Sequence, residues 1–165
     1  MSDYCVAVVD AARARLFVLE EARLPEVESG PKLIEKLDLV NPEKQVPGRE
    51  MFGNAKGGRN RSPAGGQSHG YDDHRDNHEQ EFEKRFARQV TQEIEKCVRE
   101  THARHVVVAA EPRMLGILRP NLASLSRHGV EVRELARNVC KLAPAEIQEL
   151  LAKAECVPAC RRPGH

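Results

Sequence analysis

Two stretches, YCVAVVD at 4–10 and HVVVAAE at 105–111, stay apolar from their second residue up to a closing acid. A strand with apolar side chains on both faces of its pleat needs cover on both sides. The pair therefore predicts a sheet in which these two strands are central and helices pack on each face. ARLFVLE follows the first run closely enough for a hairpin, so these strands should be antiparallel neighbours. KLIEKLDLV reads as a third strand with Leu33, Leu37 and Leu39 on one face, which completes a meander.

From about residue 41 to 74 periodicity gives way to Gly, Pro, Asn, Ser and basic residues, a long flexible loop. A long helix is expected to begin near Asp73–Asn77. Its apolar stripe is Phe82, Phe86, Val90, Ile94, Cys97, Val98 and Thr101, with Glu79, Glu81 and Glu83 in its first turns complementing the helix dipole. Pro112 suits the first turn of a second helix, which Arg119-Pro120 should break or kink. VEVREL is a fifth strand and LAPAEIQELLAKA a last helix. A meander followed by two helix–strand units, each closed by a right-handed crossover and expected to put helices on both faces, predicts an α/β, ribonuclease-H-like fold. Its mixed five-stranded sheet has the order 3-2-1-4-5, with Val6, Val8, Phe86, Val90, Val107 and Ala109 in the core. A single domain over 1–155 would precede a disordered tail at 156–165.

Composition narrows the function. Lys+Arg number 26 against 25 Asp+Glu, a net charge of +1, so nucleic acid could be met only through a local basic patch. Aromatics are 4% and Trp is absent, which leaves few stacking platforms for single strands. No apolar run is long enough to span a bilayer, and the N-terminus lacks a secretory leader. The chain reads as soluble and cytoplasmic, without membrane contact, and its five scattered cysteines suit reduced thiols. No Walker loop or dinucleotide fingerprint occurs, and no cofactor is expected.

Four groups of residues carry possible chemistry. Gly65-Gly66-Gln67 joins two conformationally free residues to one whose backbone N–H could stabilise an oxyanion, but also suits a plain flexible loop. Arg13, Arg15, Lys56, Arg59, Arg61 and Arg75 could gather as a phosphate-binding patch, or pair with the abundant acids. His69, His74 and His78 lie among acids, and His74 and His78 share a helical face if the helix has begun, as metal ligands would. Asp10, Glu79 (or Glu83) and Glu111 sit where a ribonuclease-H-like nuclease would hold divalent metal, although Asp10 equally fits a capping role in the hairpin turn.

The blocks VVDAARARLFVLE, GGQSHGYDDHRDNHEQEFEKRFARQVTQEIE, VVVAAEPRMLGILRPNL and LAPAEIQELLAKA together resemble the bacterial host-attachment family. That family falls within a wider set of bacterial and archaeal proteins similar to the middle domain of the class-1 release factor. The resemblance covers nearly the whole chain. It implies a cytoplasmic domain that binds RNA or the ribosome, with Gly65-Gly66-Gln67 in the position of the factor's tripeptide between the meander and the first long helix. Hydrolysis of the peptidyl-tRNA ester would then be the tripeptide's work. A non-catalytic regulatory or interaction module is the alternative the same resemblance allows, and a metal-dependent nuclease is a third.

Overall fold

A computed structural model describes residues 2–41 and 68–163, with only the backbone described for 68–79. In chain order the elements are β1 (Tyr4–Val9), β2 (Arg13–Glu20), β3 (Lys32–Val40), α1 (Ser68–Thr101), β4 (His105–Ala110), α2 (Pro112–Arg127), β5 (Glu131–Leu135) and α3 (Pro144–Lys153). They build a five-stranded sheet in the order β3-β2-β1-β4-β5. β1, β2 and β3 are antiparallel in turn, while β1, β4 and β5 run parallel. This is the expected mixed sheet and order.

The pleat divides the core in two. Cys5, Ala7 and Val9 of β1 and Val106, Val108 and Ala110 of β4 face Phe86, Ala87, Val90 and Ile94 of α1 and Leu115, Leu118 and Leu122 of α2. The alternate residues Val6, Val8, Val107 and Ala109 face Ile147 and Leu151 of α3, with Cys156 and Val157 beyond it. Both crossovers move along the sheet in the same direction, so their right-handedness places α1 and α2 on one face. The second face is closed by α3, and the six expected core residues are all buried.

Several local features depart from the sequence reading. Leu33 faces α3, whereas Leu37 and Leu39 face α1. The β2–β3 register steps from Leu16↔Leu37 to Phe17↔Glu35, which leaves Lys36 as an extra residue. One inserted residue turns everything beyond it to the opposite face. α1 begins at Ser68 rather than near 73–77, so its first turn holds no acid and Glu79–Glu83 lie well inside the helix. α2 runs through Pro120 without a break and ends at Arg127, before His128-Gly129. The stop is set by Gly129, whose φ of +84° suits a residue without a Cβ, with the Val130 N–H donating to Leu125 O.

The segment after α3 was expected to fray, yet its first half is tied down. Cys156 and Val157 are buried, and Arg161 and Gly30 exchange backbone hydrogen bonds at 2.8 and 3.0 Å. Gln148 is also buried: it donates to Pro31 O at 2.8 Å and Pro158 O at 3.2 Å, and accepts from the Leu33 N–H. One amide thereby holds α3, the start of β3 and the tail together.

Two glycines should answer the same substitution with opposite signs. A Cβ on Gly30 would lie 2.8 Å from both the Cβ and the backbone N of Ala22, and the backbone there cannot yield cheaply. Gly30→Ala should destabilise by about 1–3 kcal/mol. A Cβ on Gly116, inside α2, meets nothing within 4 Å. Gly116→Ala should stabilise by about 0.5–1 kcal/mol through helix propensity. Urea unfolding of both variants beside the parent checks the pair.

Candidate functional site

Parallel strands collect functional groups at their carboxyl ends, where the chain turns into loops and helix starts. Here that edge is formed by the ends of β1, β4 and β5. Val9 pairs with Ala110, so Asp10 and Glu111 follow side by side. Asp10 turns the chain: its Oδ1 accepts the N–H groups of Ala12 and Arg13, each at 2.8 Å, and its own N–H donates to Arg13 O. Satisfying two adjacent donors is the structural task of a short acidic side chain in a hairpin. Glu111 stands at the N-cap of α2, with its Oε1 3.5 Å from Asn138 Nδ2.

Asn41 completes this edge. Only 2% exposed, it donates from its backbone N–H to Ala12 O at 2.8 Å and from Nδ2 to Ala11 O at 3.1 Å. The last described residue of the meander is thereby fastened to the β1–β2 turn. α1 leaves from the same edge. Its C-terminus lies at the other end of the sheet, where Thr101 O accepts the Ser2 N–H. Glu83, 3% exposed, pairs with Arg113 in the first turn of α2 at 3.4 Å, which puts Glu83 level with the carboxyl ends of the strands. The helix before Glu83, from Ser68 onward, adds about 22 Å of axis beyond that level.

The segment 42–67 therefore follows Asn41 at this edge of the sheet and precedes Ser68, which lies about 22 Å of helix axis beyond it. Gly65, Gly66, Gln67, Lys56, Arg59 and Arg61 lie outside the described residues, as does most of the loop expected to be flexible. Arg75, His69, His74, His78 and Glu79 lie on α1, where His74 and His78 are one turn apart, but their side chains are outside the described set. Among the described residues no group of three or more His, Cys, Asp or Glu could hold a metal ion.

Arg13 and Arg15, two of the expected phosphate ligands, do not project freely into solvent. Arg13 makes a two-pronged pair with Asp38, Nε at 2.8 Å and Nη2 at 2.7 Å. The Arg13 hydrogen bonds hold the Asp38 carboxyl below its ordinary range, against a smaller opposing effect of burial. Arg15 is 7% exposed. Its guanidinium pairs with Glu35, donates to Cys140 O at 2.8 Å and Leu142 O at 2.7 Å, and lies over the Phe17 ring. It clasps the β5–α3 connection onto the sheet. Cys140, beside it, has its thiol pushed up to about 12, first by burial and then by the Asp10 carboxylate, and is no nucleophile at neutral pH.

A family model described as "Protein required for attachment to host cells" matches residues 5–151. The chain belongs to this family. No curated protein matches it. The matched span of this host-attachment family chain takes in all five strands and most of α3, so it covers both layers of the core and the edge just described.

Sequence reading missed Asn41, and offered Glu83 only as an alternative to Glu79 among the nuclease carboxylates. Asn41 carried only the turn signal of an Asn-Pro dipeptide. Removing the Arg15 clasp should show its structural nature. Arg15→Met strands two carbonyls and unpairs Glu35, and should destabilise by about 2–4 kcal/mol. Arg13→Ala removes an exposed pair and should cost under about 1 kcal/mol. Denaturant midpoints at constant m-value provide the measurement.

Proposed function

We propose that this chain acts as a release-factor-like domain that binds RNA or the ribosome and offers Gly65-Gly66-Gln67 to the ester bond of peptidyl-tRNA. The observation behind the reading is topological. The tripeptide is the last part of the segment that leaves the sheet at Asn41, and it directly precedes Ser68, the first residue of α1. The segment follows Asn41 at the edge, whereas the helix begins about 22 Å of axis beyond it, at the residue directly after Gln67. A 34-residue helix supplies the reach to bring a small domain's loop into a cleft. In the reaction, water attacks the ester carbonyl and the terminal ribose oxygen leaves with a proton. The Gln67 backbone N–H would donate to the oxyanion, and the two glycines would let the chain approach closely.

A second reading has its own observation. Arg13 and Arg15 are both committed to intramolecular partners. Phosphate contact would thus fall to the basic residues of 42–67 and α1, and a domain without enough of it would be a non-catalytic interaction module. The nuclease reading draws nothing from Asp10, whose Oδ1 is taken up by the hairpin turn.

The test is incubation with ribosome–nascent-chain complexes, scoring both co-sedimentation and release of the peptide. The domain should co-sediment and release peptide. Gly66→Ala should slow release by two decades or more, consistent with about 3–4 kcal/mol for a mispositioned oxyanion donor. Gln67→Ala keeps the N–H and should cost less. Co-sedimentation without release by the parent protein establishes the interaction module. Absence of both overturns the release-factor reading and leaves the interaction module, which need not bind ribosomes.

A further inference from the structure

Cys5 and Cys97 are 92 positions apart, yet the fold brings their sulfurs to 3.1 Å, the Cys5 S–H donating to Cys97 Sγ. Cys5 is fully buried in β1, and Cys97 is half-buried on α1 at the rim of the same core. Neither thiol has a part in the hairpin turn, the α2 start or the tripeptide. From this geometry we infer that Cys97 and Cys5 form a two-electron redox site, in which a hydroperoxide converts the pair to a disulfide joining α1 to the central strand.

The two thiols are suited to different roles. The Cys97 thiol is held below its ordinary range, first by the hydrogen bond from Cys5 and in part by Thr101 and Lys36, with burial and Glu100 opposing. The Cys5 thiol is held well above its range by that same hydrogen bond and by burial. Cys97, at the rim and richer in thiolate, is therefore the attacking sulfur, and buried Cys5 the resolving one. In the first step the Cys97 thiolate attacks one peroxide oxygen. The O–O bond breaks, the other oxygen leaves and takes up a proton, and Cys97 becomes a sulfenic acid. In the second step Cys5 sulfur attacks Cys97 sulfur, the S–O bond breaks, and the departing hydroxide takes the Cys5 proton to leave as water. Two thiols and one hydroperoxide give one disulfide, one water and one alcohol, or two waters from hydrogen peroxide. A dithiol reverses the change by exchange.

Cys140 and Cys156 are buried with raised thiol pKa values, so neither competes, but Cys160 is exposed and could couple two molecules. The experiment therefore uses full-length Cys160→Ser, treated with sub-millimolar hydrogen peroxide and read by intact mass and peptide mapping under non-reducing conditions. The expected result is loss of two hydrogens, a Cys5–Cys97 linked peptide, a higher melting temperature, and reversal of all three by dithiothreitol. Adding Cys97→Ser should abolish the mass change. Cys5→Ala in the same background should stop Cys97 at a sulfenic acid that a dimedone probe captures; if that variant does not fold, the parent's linked peptide and the Cys97→Ser result decide the matter. No mass change, a different pair of cysteines, or an unchanged response in Cys97→Ser would overturn the proposal.

Discussion

Everything in this domain is arranged around the parallel pairing of β1 with β4. The two strands match residue for residue from Tyr4↔His105 to Val9↔Ala110, and between those ends they carry no polar side chain. Neither strand can face water on either side, so helices must lie on both. β3 runs in the same direction as β4 and cannot reach it by a tight turn, so the chain passes from one to the other through a crossover that holds α1. The long helix answers that requirement.

The polar residues that matter most are the ones closing the margins of this apolar pair. Asp10 and Asn41 satisfy the backbone of the turn where β1 ends, and Arg15 satisfies two carbonyls of the β5–α3 connection. Gln148 does the same for the exposed edge of β3. Each is buried or nearly so with its hydrogen bonds made, which is the condition under which a polar group adds to a core. Arg15 looked like a ligand residue because it lies in the first hairpin, and Asp10 because it ends a central strand. Their partners turn that charge inward.

The functional proposal and the redox proposal occupy different ends of α1. The tripeptide precedes its first residue, whereas Cys97 lies in its last two turns, against the core. A disulfide there would tether the helix where it already packs and leave its tip untouched. Among the described residues no helix is long and apolar enough to cross a membrane.

Patterns of apolar residues determined the sheet. Period-two and wholly apolar runs identify strands, period-3.6 stripes identify helices, and the handedness of crossovers leaves one order for five strands; each is a local or chiral rule that needs no distant contact. Tertiary structure decided what local rules cannot express. The extra residue at Lys36 turned Leu33 away from Leu37, because a bulge exists only relative to a paired strand. Pro158 and Arg161 found partners in Gln148 and Gly30, the latter far off in sequence. Arg15 became a clasp and Cys5 found Cys97 in the same way. The pairing of a charge or a thiol depends on which side chains the fold places within about 3 Å of it, and sequence separation carries no information about that distance.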